Sequence, residues 1–195
     1  MNARAVILFG LLASVCVARE PPKQKPEDNS TVSQLLARLG EGRVGEWPSR
    51  EGQAATTRYR ISRLHLGASL LCIKIFATTE RQAAAQPPVR LYHMEVKKGS
   101  FNFPETTSVI HPLSAEDYQR LVKMFVEQEL FSLPPDPELL HDTSRLAGFD
   151  GQTWVFECWG RRGYRVVKRW SPEAGPARVC SDFIMQLVGG MKEPQ

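Results

Sequence analysis

The sequence predicts an α+β domain, an antiparallel sheet of about five strands with two to three helices packed on it. Three observations lead there. Short runs with period-two alternation recur between residues 57 and 97. Two β-rich runs, 152–159 and 164–170, are joined by Gly160-Arg161-Arg162-Gly163, the pattern of a hairpin. Two later segments, after Ser114 and over 177–188, carry apolar residues at helical spacing. Of 195 residues, 42% are hydrophobic and 24% charged, which excludes a collagen-like, wholly disordered or polytopic membrane chain. Basic residues outnumber acidic ones only 25 to 21, so net charge selects no partner class.

The N-terminus reads as an export signal. Arg4 precedes an apolar run from Ala5 to Val17, and Cys16-Val17-Ala18 offers small residues at the positions a signal peptidase reads. Cleavage after Ala18 is expected, and the run is shorter than the roughly 20 residues of a membrane span. Lipidation at Cys16 is the weaker alternative, because Val15 is large for the position before a lipidated cysteine. A periplasmic or secreted location follows as an expectation, with 24 basic and 21 acidic residues in the mature chain.

Residues 19–53 read as a flexible leader with a short helix, and 54–191 as the single α+β domain. The leader opens with Pro and charge and little to bury. Ser30 or Thr31 caps a helix containing Val32, Leu35, Leu36 and Leu39; the same residues complete an Asn29-Ser30-Thr31 glycosylation acceptor, the less favoured reading. Residues 40–52, with Gly, Pro and charge, read as a linker.

Within the domain, 57–64 alternates partially and 69–78 is apolar on both faces, as a central strand requires. Tyr92, Met94 and Val96 mark the inward face of a third strand over 90–97. The next helix is capped by Ser114, with Glu116 and Asp117 in the first turn, where the helix dipole favours negative charge. Its buried stripe is Tyr118, Leu121, Val122 and Phe125, and Pro134-Pro135 lies beyond its end. The hairpin should set Trp159 opposite Tyr164, Phe156 opposite Val167, and Trp154 opposite Arg169. The closing helix presents Val179, Cys180, Phe183, Ile184 and Leu187 on one side.

The residues named so far have a familiar order. Leu113-Ser114 opens a helix, Phe131-Ser132-Leu133-Pro134 follows, and then come Asp150-Gly151, Trp154 and Glu157. Gly163-Tyr164, Val167 and Arg169-Trp170-Ser171-Pro172 lead into the closing helix. This resembles a family of small exported bacterial proteins of unknown function, loosely over 57–190 and more tightly over 113–187. Arg165 departs from the histidine frequent there. The resemblance implies an exported α+β domain and no particular activity.

The chemistry on offer is limited. Removal of the signal leaves Cys72, Cys158 and Cys180, and an oxidising compartment favours one bridge. Cys158 shares a strand face with Trp154 and Phe156, and Cys180 lies on the stripe of the helix that must cover that face, so Cys158–Cys180 is the expected pair, with Cys72 the competitor. No metal site is expected, since His65, His93, His111 and His141 are scattered and no CxxC or HxxH occurs. No cofactor motif is present. Asp150 and Glu157 could make a carboxylate pair for hydrolysis, but Asp150-Gly151 is also a turn signal and Glu157 can pair diagonally with Lys168.

The main binding candidate is the basic, aromatic hairpin: Arg161, Arg162 and Arg165 with Trp159 and Tyr164, and Lys168 and Arg169 beside them. The bland alternative is a solvated face whose arginines cover aromatic edges. The reading is an exported, non-catalytic module binding an anionic envelope component or another protein; nucleic acid is not expected as a partner. The alternative is a hydrolase-like enzyme with a site near Asp150 and Glu157.

Overall fold

The computed structural model describes residues 31–42, 58–65, 69–80, 88–100, 105–136, 151–160 and 163–190. They form helix α1 (Thr31–Arg38) and strands β1 (Arg58–His65), β2 (Ser69–Glu80), β3 (Val89–Ser100) and β4 (Thr106–Leu113). Helix α2 (Ala115–Glu127) and a 3-10 turn (Leu130–Ser132) follow, then β5 (Gln152–Gly160), β6 (Gly163–Trp170) and helix α3 (Pro176–Gly190). One antiparallel sheet of six strands runs in the order β4-β3-β2-β1-β5-β6. The α+β class is as expected, with one strand more than the sequence suggested.

The added strand is β4. Only Leu113 among its residues is buried, so no alternation marks it, and Pro112 sits in it. A proline lacks the N–H a central strand needs but is tolerated at a sheet edge, which is where β4 lies. The central strand is β2, as its two-sided apolar character predicts. Trp159 does pair with Tyr164, Phe156 with Val167, and Trp154 with Arg169.

Because side chains alternate along a strand, the register divides the sheet into two surfaces. Tyr59, Ile61, Leu71, Ile73, Ile75, Met94, Val96, Trp154, Phe156 and Val167 point one way, into the core covered by α2, the 3-10 turn and α3. Helix α2 starts where expected: Ser114 Oγ accepts from the Asp117 amide at 3.0 Å and donates to its carboxylate at 2.7 Å. Tyr118, Leu121 and Phe125 fill its buried face.

On the opposite surface Leu64, Leu70, Cys72 and Val155 pack against Val32, Leu35, Leu36 and Leu39 of α1 and its C-terminal flank. The short helix assigned to the leader is thus docked on the sheet. A Schellman motif ends it. Gly40, at φ 66°, donates to Ala37 O, and Glu41 reaches back to Leu36 O. The approach is close: a Cβ on Gly99 would lie 2.7 Å from Leu39 Cδ2. Glu41 and Gly42, expected in the linker, belong to this docked end; the remainder of 40–52 lies outside the described residues.

Candidate functional site

The α1-facing surface of the sheet carries a row of charge. Register places Glu157 of β5 opposite Arg60 of β1, Arg60 opposite Lys74 of β2, and Lys74 opposite Glu95 of β3. Each stands between apolar neighbours in its own strand: Tyr59 and Ile61, Ile73 and Ile75, Met94 and Val96, Phe156 and Cys158. The pleat therefore turns all of them away from the main core and toward α1. Arg60 and Glu157 are completely buried, and Lys74 and Glu95 nearly so.

Arg60 meets Glu157 side-on, with Nε 2.5 Å from Oε2 and Nη2 2.9 Å from Oε1. This is the bidentate geometry that makes arginine–carboxylate pairs strong. Tyr164 of β6 donates its hydroxyl to Glu157 Oε1 at 2.9 Å, and the Arg60 guanidinium lies 5.3 Å from the Trp159 ring centre. Arg60 and Lys74, being like charges directly across two strands, would repel. Glu41 relieves this from the end of α1. Its Oε1 is 2.9 Å from Lys74 Nζ and 2.6 Å from Lys97 Nζ. Lys74 also reaches Glu95 at 2.8 Å.

The end of α1 supplies backbone acceptors as well. Gly42 O accepts from Arg60 Nη1 at 2.9 Å, and Leu39 O from Lys97 Nζ at 3.4 Å. Cations under a helix C-terminus complement its dipole. Arg60, Lys74 and Lys97 thus balance Glu157, Glu95 and Glu41 beneath one helix end.

Titration reflects this pairing. Burial by itself lowers the Arg60 pKa, but the hydrogen bond and charge of Glu157, with Cys72 and Glu41 behind them, raise it overall. Lys74 is likewise raised, its burial outweighed by Glu95 and Glu41. Burial would raise Glu95, yet Lys74 chiefly, with Ser108 and Lys97, holds it below the ordinary carboxylate range. Tyr164 is pushed up by burial and by the Glu157 charge. Burial and then Glu41 push the Cys72 thiol up to about 12. These shifts favour charged Arg60, Lys74 and Glu95 and neutral Tyr164 and Cys72 at neutral pH. The cluster is a charged latch for α1.

The hairpin candidates divide between the two surfaces. Trp159 and Tyr164 face the α1 side, half-buried, with ring centres 5.1 Å apart. Arg165, opposite Cys158, projects from the other face. The three therefore do not share one flat surface, because an even spacing along a strand is needed for that. Gly160 pairs with Gly163, whose φ of 94° closes the turn. Arg161 and Arg162 at the tip lie outside the described residues, as does Asp150. Gly151, which follows it, lies under Trp170, and a Cβ there would run into the indole.

Cys158 and Cys180 both border the main core, whereas Cys72 lies on the opposite side of the sheet. All three are free thiols in this structure, so the expected bridge is not formed in it. Among the described residues no three His, Cys, Asp or Glu side chains gather as metal ligands, and no helix is long and apolar enough to cross a membrane.

The sequence reading missed the latch entirely. Its signal was present as lone charges inserted in apolar strands, at positions whose parity only the strand pairing aligns. No protein family, curated protein or solved structure matches the chain.

Proposed function

We propose that the chain is an exported, non-catalytic module that binds an anionic envelope component or another protein through the basic rim of the β5–β6 hairpin. The observation behind this choice is the state of Glu157. It is fully buried, and both its oxygens are taken, by Arg60 and by Tyr164. A general acid or base must come within hydrogen-bond reach of a substrate proton, and Glu157 is withdrawn from any. That weighs against a hydrolase built on Asp150 and Glu157. The basic side chains of β6, by contrast, stand at the rim: Arg165, Lys168 and Arg169 are half-exposed on the last strand of the sheet. The resemblance to exported bacterial proteins, and the signal-like residues 1–18, supply the export half of the proposal.

Replacing Arg161, Arg162 and Arg165 together with Ser tests the binding half. Retention on an immobilised polyanion should fall, while the melting temperature stays near that of the wild type. Unchanged retention would refute it. For the export half, mass spectrometry of protein from its native host should find Arg19 at the N-terminus; intact Met1 would count against it.

A further inference from the structure

The sheet is packed on both faces, by unequal means. The main core lies under α2, the 3-10 turn and α3. The other face carries α1 and its C-terminal flank, and the two apolar clusters share no residue. Helix α1 adds no strand to the sheet, so lifting it breaks no strand pairing. Its polar hold consists of Gly42 O on Arg60, Leu39 O on Lys97, and Glu41 on Lys74 and Lys97. The pairs within the sheet do not depend on it. Arg60 keeps both bonds to Glu157, and Lys74 keeps Glu95 at 2.8 Å. A helix of eight residues is too short to persist in water by itself, so α1 holds its shape only where it is docked.

We propose that residues 31–42 are a strap that opens and closes on the sheet as one unit, with Glu41 as its catch, while the strands, α2 and α3 stay folded. Glu41 and Arg38 are the only charged residues of the segment, and Arg38 is exposed. Without Glu41, the cations Arg60, Lys74 and Lys97 face only Glu157 and Glu95, and Lys97 is left with Glu95 at 3.9 Å. The catch is weaker than the pair beside it. Glu41 meets both lysines through Oε1, and its Oε2 is buried with no hydrogen-bond partner among the described residues. Glu157, by contrast, engages Arg60 with both oxygens. A partly satisfied buried carboxylate is costly in a medium of low dielectric, and local opening draws on the most weakly held elements of a fold. Opening uncovers Leu64, Leu70, Cys72 and Val155 with Lys74 and Lys97 beside them. The strap thus controls access to an apolar face flanked by cations.

Two thiols report on the two faces. Cys72 lies beneath α1 and Cys180 in the main core, both fully buried and both pushed up to about 12, chiefly by burial. The test is the rate at which iodoacetamide labels each in the reduced full-length chain at neutral pH, read peptide by peptide by mass spectrometry. In the wild type both should react slowly. In Glu41→Gln, Cys72 should react roughly ten- to hundredfold faster, the effect of losing one charged contact, while Cys180 keeps its wild-type rate. Glu41 also raises the Cys72 thiol directly, so Leu36→Ala, which loosens α1 and leaves every charge in place, is measured beside it and should show the same selective gain. If Glu41→Gln fails to fold, Lys97→Gln, which removes one of the two lysines on the catch, takes its place. Acceleration of Cys180 together with Cys72 would mean that α1 leaves only when the whole domain unfolds, and would overturn the proposal. So would a Cys72 rate that either variant leaves unchanged.

Discussion

Arg60 and Glu157 face each other across β1 and β5, both completely buried and joined through two hydrogen bonds, with no water-exposed atom on either side chain. Burying such a pair costs several kcal/mol per ion in lost hydration, and the pairing roughly offsets it. Its contribution is therefore less to net stability than to fixing which strand faces sit under α1. Removing one partner strands the other charge in the core.

Glu157→Gln or Arg60→Met should each destabilise the protein by about 3–5 kcal/mol, measured by urea unfolding. The double replacement Arg60→Met with Glu157→Leu should recover most of that loss, since no buried charge remains. Two single losses that simply add in the double variant would show that the groups do not act as a pair.

Acid should loosen the α1 latch before neutral or mildly alkaline pH does. The folded-state pKa of Glu95 is lowered, so its stabilisation is complete above the unfolded value, about 4.3, and is lost as pH falls through the folded value. Lys74 has the opposite sign. Its folded pKa is raised, so its stabilisation is complete below the unfolded value, about 10.4, and is lost only as pH climbs through the folded one. Urea midpoints should be flat from pH 6 to 8, on the order of these limits, and fall below about pH 4. In Lys74→Met most of the lowering of Glu95 should disappear, leaving what Ser108 and Lys97 supply, and the acid dependence should shrink with it. A variant with the same acid slope as wild type would place the titration elsewhere.

The cysteines are separated by the sheet itself. Cys158, opposite Tyr59, and Cys180, at the foot of α3, border the main core, while Cys72 faces α1. Non-reducing peptide mapping of protein from its native host should therefore find no linkage containing Cys72. Any bridge should join Cys158 to Cys180, closing a loop worth roughly 3 kcal/mol if unstrained. The Cys72 thiol, with its pKa pushed up to about 12, should resist alkylation at neutral pH until the protein unfolds. Rapid labelling of Cys72 in native protein would contradict its place beneath α1.

Local pattern was enough wherever burial follows a short period. The apolar faces of β2 announced a central strand, Ser114 with Asp117 announced the start of α2, and the flanking glycines of the hairpin set the register from Gly160–Gly163 to Trp154–Arg169. These are contacts between residues close in sequence, so the chain spells them out. Strand β4 escaped because an exposed edge buries almost nothing, and without burial there is no alternation to read.

Residues 40–42 looked like linker because a helix-ending glycine and a linker glycine are the same letter. Their role depends on Arg60, Lys74 and Lys97, which reach them only after the sheet has formed. The sequence by itself determined the α+β class, the hairpin register and the helix starts. Tertiary structure alone decided that Glu157 answers to Arg60, that Glu41 closes the latch, and that Trp159 and Tyr164 turn away from Arg165. Those outcomes hang on strand order and on the parity of side chains across neighbouring strands, which join residues as much as 97 positions apart.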